Sequence, residues 1–245
     1  MKILLEIAYV GTAYSGFQVQ ENAPSVQKTL QDALEMFFET KLLVSGCSRT
    51  DAGVHARQFY ATCEGEIAES FPVDRLPKAA ARFMPRDIVI LSARRVDEHF
   101  HVRYDVQYKE YEYLILNTDA GDPFMQDRAY HYSRPIDEAL LDTAAKHFVG
   151  KHDFKGFMSQ GSKVVDTVRE IYYFDVVREG AIVKMRVAAN GFLYNMVRIL
   201  CGTLIAVAEG KIDPCTLDEV ILSGDRKRAG MTLPPEGLYL SRVVY

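Results

Sequence analysis

Residues 41–64 read KLLVSGCSRTDAGVHARQFYATCE. Two runs of mostly apolar and aromatic residues, 41–47 and 57–64, flank a polar loop that contains Gly53. Short runs of this kind read as neighbouring strands. Upstream, residues 2–9 alternate loosely in Ile, Leu and Tyr as a strand. Residues 25–39 set Val26, Leu30, Ala33, Leu34 and Phe37 at helical spacing after the start signal Pro24-Ser25. Downstream, a helix is predicted at about 74–83, opened by Pro72 and Asp74 and closed before Pro85, and residues 87–95 read as a strand. The order is βαββαβ.

The same order recurs further along. A long Tyr-rich strand is predicted over 102–117 and a helix over 136–149, ending at Gly150. Residues 170–178 and 181–189 form a hairpin turning at Glu179-Gly180, residues 191–209 a helix, and residues 237–244 the closing strand. The chain therefore reads as an α+β protein of two tandem ferredoxin-like halves, 1–96 and 97–245, with mainly antiparallel sheets. Helices on one face of such sheets leave the other face open to a ligand.

Composition narrows the class. The 245 residues carry 29 Lys+Arg against 33 Asp+Glu, a formal charge of −4, and are 48% hydrophobic. That excludes disordered and fibrous classes, and argues against a partner held by bulk charge alone. Cys47, Cys63, Cys201 and Cys215 contain no C-x-x-C pair, so no zinc or redox motif is indicated and reduced thiols are expected. Glu6 interrupts what would be a signal-peptide core, and the apolar stretch Ile199–Ala208 is about half a membrane span. A cytoplasmic protein with no membrane contact is expected.

The loop Ser48-Arg49-Thr50-Asp51-Ala52-Gly53-Val54-His55-Ala56 concentrates a cation, a hydroxyl, a carboxylate and an imidazole. A tight turn would explain it, with Asp and Thr as caps and Gly53 at positive φ. A catalytic loop is the other reading, with Asp51 as nucleophile or base and Arg49 holding an anion. The string resembles the R-T-D-A-G-V-H-A signature of the TruA-type tRNA pseudouridine synthases. The resemblance extends along the chain, through Tyr9-Val10-Gly11-Thr12-Ala13-Tyr14-Ser15-Gly16-Phe17-Gln18, Ser25-Val26-Gln27, Phe100-His101-Val102-Arg103, Met196-Val197-Arg198 and Glu236-Gly237-Leu238-Tyr239-Leu240. Three departures stand out. Val10 replaces an Asp, Ser48 replaces a Gly, and Ala80-Ala81-Arg82-Phe83-Met84-Pro85 replaces an L-N-x-x-L-P segment.

The resemblance implies isomerisation of uridine to pseudouridine at positions 38 to 40 of the tRNA anticodon arm, by a homodimer whose sheets face a central RNA-binding cleft. The reaction is redox-neutral, so no cofactor is expected. This agrees with the lack of a P-loop, a dinucleotide fingerprint or metal-spaced ligands. Two other readings are a catalytically idle tRNA-binding protein on the same fold and a pseudouridine synthase acting on other RNA sites.

The resemblance makes Asp51 the essential carboxylate, acting on the sugar, on the base or on the 2′ proton. Arg198 sits in the almost wholly apolar run 192–206, where a guanidinium must either be paired or reach the surface. The family pattern pairs it with Asp51. In Tyr108-Lys109-Glu110-Tyr111-Glu112-Tyr113-Leu114, strand alternation puts Tyr111 and Tyr113 opposite Glu110 and Glu112. Tyr111 matches the family Tyr that stacks on the target uracil and can relay a proton. Arg49, with Thr50 beside it, matches the family's contact to the target nucleotide, and Leu238 or Leu240 would wall the uracil pocket. His55 would touch phosphate or simply close the loop. His99 and His101 could share a metal on one strand face, but no third ligand is evident, and a structural or RNA-contact role fits better. The one positive block of fifty residues, 151–200, has 8 Lys+Arg against 5 Asp+Glu, so RNA would be held by local basic surface rather than net charge.

Overall fold

The computed structural model describes residues 1–161 and 164–245. Its first unit comprises Met1–Gln107 with Tyr239–Tyr245. In chain order it contains β1 (Lys2–Tyr9), α1 (Val26–Phe38), β2 (Leu42–Gly46), β3 (His55–Gly65), α2 (Leu76–Ala80) and β4 (Ile88–Arg95). β1 lies between β3 and β4, antiparallel to both. Ile3, Leu5 and Ile7 of β1 are fully buried, as are Leu30 and Leu34 of α1, the expected apolar stripe. Ser25 caps α1 by accepting the Lys28 N–H, an interaction of about 1 kcal/mol. The helix predicted over 74–83 is a single α-turn flanked by 3-10 turns at Val73–Arg75 and Ala81–Phe83. Pro77 sits in the first turn of the α segment, where a missing N–H costs no helical bond, and Pro85 follows the end of the run.

The second unit, Tyr108–Leu238, contains β5 (Tyr108–Leu116), β6 (Tyr130–His131), α3 (Glu138–Ala145), β7 (Gly150–Asp153), β8 (Val168–Glu179), β9 (Ile182–Ala189), α4 (Met196–Ala208) and α5 (Leu217–Ser223). β5, β9, β8 and β7 form an antiparallel ladder in that order, and β6 adds a short parallel pair to β5. The hairpin turns at Glu179-Gly180 as expected, with Gly180 at φ +60°. The helix predicted from 191 begins at Met196, because Asn195 adopts a left-handed φ of 61° that cannot propagate. The strand predicted from 102 begins at Tyr108. Residues 101–105 instead close a turn, with the Asp105 N–H donating to the His101 carbonyl at 3.1 Å.

The last strand, predicted over 237–244, is β10 (Leu238–Val244). From Tyr239 onward it lies in the first unit and pairs parallel with β3, Tyr239 opposite His55 and Leu240 opposite Ala56. β2 occupies that edge of β3 only over residues 61–65, since the chain leaves the ladder after Gly46 to make the polar loop. β10 takes the vacated edge. The segment 97–107, assigned to the second half from sequence, also lies in the first unit. Gln107 N–H donates to Val244 at 2.8 Å, and Tyr245 Oη donates to the Val102 carbonyl at 2.6 Å.

One exposed network gives the second unit an acid-sensitive element. Asp142 of α3 accepts the Val176 N–H of β8 at 2.8 Å and Lys146 Nζ at 3.0 Å. Burial alone would raise its carboxyl pKa, but these two partners outweigh it and hold the group below the ordinary Asp value. A depressed native pKa stabilises the fold above the unfolded value near 3.9, and the contribution is lost as pH falls through the lower native value. Asp142→Ala should therefore lower unfolding free energy by about 0.5–1 kcal/mol at pH 7, after allowance for its exposure. In urea titrations the gap to wild type should shrink toward pH 3.

Candidate active site

The polar loop is held from below by the chain's opening motif. Phe17 N–H donates to the Thr50 carbonyl at 3.1 Å, and Gly53 N–H donates to the Tyr14 carbonyl at 3.2 Å. The Thr50 and Tyr9 hydroxyls are hydrogen-bonded at 2.7 Å, and Thr50 is buried. Gly11 and Gly16 are needed because the two backbones nearly touch. A Cβ on Gly11 would lie 1.9 Å from the Val54 oxygen, and one on Gly16 would lie 2.5 Å from the Thr50 oxygen. Gly53 has φ +78°, as a turn glycine should, and Val54 N–H closes the turn on the Asp51 carbonyl at 3.2 Å. The loop's backbone is thus fixed at Thr50, Gly53 and Val54, around a half-buried Asp51 and an exposed Arg49.

His55 is completely buried, and its Nδ1 accepts the Gly11 N–H at 2.9 Å. Its ring packs 4.6 Å from that of Tyr239. Of the two roles open to it from sequence, loop closure agrees with this burial and phosphate contact does not. The acceptor role at Nδ1 leaves the proton on Nε2 when the ring is neutral. Leu240 is also fully buried, one residue along β10 from Tyr239. Beneath the loop, Tyr14 donates to Asp87 at 2.8 Å, and burial together with that carboxylate pushes its phenol up to about 12. Tyr14 stays a neutral donor at physiological pH.

In the second unit, Tyr111 and Tyr113 are both buried while Glu110 and Glu112 are half-buried, as strand alternation predicted. Tyr113 Oη donates to the Pro234 carbonyl at 2.7 Å, and burial drives its phenol pKa far upward, so Tyr113 is a fixed donor. Tyr111 meets Phe192 edge-on, with centroids 5.0 Å apart. Phe192 was not singled out from sequence as a partner of Tyr111; only its place in the apolar run before α4 was visible. Leu238 is buried at the unit's end.

Arg198, the third residue of α4, is half-buried. Its Nε donates to the Leu233 carbonyl at 2.6 Å and its Nη1 to Asn195 Oδ1 at 2.7 Å. Asn195 in turn donates to Ser159 Oγ at 2.9 Å. Two of the guanidinium's edges are therefore fixed by neutral acceptors, which orients it without cancelling its charge. The left-handed Asn195 explains why this anchoring was illegible from sequence, since a continuous helix would carry its side chain elsewhere.

Among the described residues, no cluster of three or more His, Cys, Asp or Glu is arranged for a metal ion. No described helix is long and apolar enough to cross a membrane. Cys47, Cys63 and Cys201 are buried, whereas Cys215 is exposed.

The family model described as tRNA pseudouridine synthase matches residues 6–105 and 144–245. The chain belongs to the tRNA pseudouridine synthase family. A relative from Ruminiclostridium cellulolyticum, tRNA pseudouridine synthase A, is 42% identical over 246 residues, covering 100% of this chain and 99% of its own length. The protein of the same name from Acetivibrio thermocellus is 43% identical over 248 residues, with 99% of both chains covered. A chain of a Cbf5-Nop10-Gar1 complex aligns at a TM-score of 0.41 and 15% identity, over 83% of this chain and 44% of that one. Within the family match, Asp51 falls in the first matched stretch and Arg198 in the second, while Tyr111 lies between the two.

Proposed function

We propose that this protein isomerises uridine to pseudouridine in tRNA, at anticodon-arm positions 38 to 40, as a cytoplasmic homodimer that needs no cofactor. The observation that carries the reading is the intact R-T-D-A-G-V-H-A loop, braced by the opening motif, in a chain that aligns end to end with relatives named tRNA pseudouridine synthase A.

In the reaction the C1′–N1 bond breaks, the uracil turns, and C5 bonds to C1′. C5 then loses its proton and N1 gains one, so no electrons are exchanged with a cofactor. Asp51 supplies the carboxylate, by attack at the sugar, attack at the base, or removal of the 2′ proton. A guanidinium paired with that carboxylate keeps it ionised and oriented, the role proposed for Arg198. Tyr111 offers a flat ring for the uracil and a hydroxyl for the proton step. Exposed Arg49 holds the target nucleotide out of the base stack, Thr50 behind it braces the loop on Tyr9, and Leu238 or Leu240 supplies apolar wall.

Release of tritium from 5-tritiated uridine in unmodified tRNA tests the activity, and site mapping in tRNA from a deletion strain tests the positions. No release by wild type would refute the isomerase reading, and modification confined to other RNA would refute the substrate. Arg198→Met should lower turnover by about 10²-fold or more. Asn195→Ala, which frees only one edge of the guanidinium, should cost less. Normal turnover by Arg198→Met would refute its assigned role.

A further inference from the structure

Next to the catalytic loop, the first unit holds a groove of about 340 Å³ whose lining includes Ser48, Arg49, Lys2, His101, Arg103 and Tyr104. One wall is the turn 101–105, which is built to be rigid. His101 N–H donates to Asp105 Oδ2 at 2.8 Å, and His101 Nδ1 accepts the N–H groups of Arg103 and Tyr104 at 3.2 and 3.1 Å. From beneath, Val102 is buried and its carbonyl is tied to Tyr245, whose ring also packs 5.1 Å from Phe100.

This scaffold holds outward what a core would take in. Tyr104 is 75% exposed, with the His101 ring 4.2 Å from its own and the Arg103 guanidinium 5.9 Å from its centroid. Lys2 is already matched by Glu64 at 3.1 Å. Arg49 and Arg103, by contrast, make no ion pair with any described residue. A protein of net charge −4 thus keeps two uncompensated guanidiniums and a buttressed aromatic face in one groove. A guanidinium fork suits a phosphodiester, and an exposed ring on a fixed turn suits an unstacked base.

We propose that this groove is an RNA subsite outside the uracil pocket. It holds a phosphodiester between Arg49 and Arg103 and stacks an unpaired base, neighbouring the target uridine, on Tyr104. The inference rests on the reading of the Asp51 loop as the catalytic centre, since Ser48 and Arg49 tie the groove to that loop.

Filter binding of unmodified tRNA transcript across a salt series, with single-turnover tritium release at saturating enzyme, tests it. Arg103→Ala should raise Kd by about 5–30-fold and reduce the log–log salt slope by about one unit. Tyr104→Ala should raise Kd about 10-fold with the slope unchanged, and Tyr104→Phe should bind like wild type. Saturating single-turnover rates should stay within about 3-fold of wild type in all three, because Arg103 and Tyr104 are assigned to the neighbouring nucleotide and not to the reacting base. Unchanged affinity and slope in the two Ala variants would overturn the proposal. So would saturating rates that fall in parallel with affinity, or a Tyr104→Phe variant as weak as Tyr104→Ala. Uridine monophosphate offered alone is the other source of the same chemistry, and Arg103-dependent binding of it at micromolar concentration would overturn the assignment to RNA. Binding is read without turnover, so a wild type that binds tRNA yet releases no tritium would refute the activity and leave the groove to be judged on its own.

Discussion

Asp51→Ala is expected to abolish tritium release from 5-tritiated tRNA, with a rate loss of about 10⁴-fold or more, while tRNA affinity changes little. The reasoning runs from the loop upward. Its backbone is fixed through Thr50, Gly53 and Val54, and none of those hydrogen bonds uses the Asp51 side chain. Removing the carboxylate therefore takes away the proposed reacting group while those backbone bonds keep both their partners. Asp51→Asn keeps the shape and should be equally inactive, since an amide is neither a nucleophile nor a base at neutral pH. Undiminished release by either variant would remove Asp51 from the reaction.

Gly11→Ala should be the most damaging single-methyl change to the loop. The added Cβ would lie 1.9 Å from the Val54 carbonyl oxygen and 2.6 Å from its carbon, both backbone atoms with no rotamer to escape through. Gly11 also donates its N–H to buried His55, so the strand start and the opening motif would have to part together. The imidazole nitrogen and the Gly11 N–H would then face each other unsatisfied, at about 1–3 kcal/mol in addition to the steric shift. We expect a loss of about 3 kcal/mol or more in stability by urea unfolding, with activity reduced even where the protein remains folded. Ala at Gly210, which meets nothing within 4 Å but has φ +67°, provides the control for backbone conformation without collision. A Gly11→Ala protein no less stable than Gly210→Ala would contradict the packing described.

Much of this was legible in the chain itself. The hairpin of β8 and β9 announces itself by two alternating runs around Glu179-Gly180, and Gly53 marks its own turn. The position of Asp51 in a loop between strands follows from the same local signals. What sequence withheld depends on distant partners. An imidazole in a polar loop gives no sign that Gly11 will bury it. A guanidinium in an apolar helix does not reveal that Asn195 and Leu233 hold it. The helix over 74–83 is present as an unbroken run of 3-10 and α turns from Val73 to Phe83, whereas the strand over 102–107 lost to a side-chain-capped turn at His101. The destination of β10 was hidden for a third reason. Seven residues suited to a strand do not say which edge they will find.

That destination sets a timetable. The first unit is discontinuous: its chain breaks off at Gln107 and resumes only at Tyr239. A ribosome adding ~5–20 residues each second needs on the order of ten seconds to make the intervening stretch. Through that interval β10 does not exist to pair with β3 at His55 and Ala56, immediately after the Asp51 loop. That edge of β3 can be covered by β10 only after the whole of the second unit has been made.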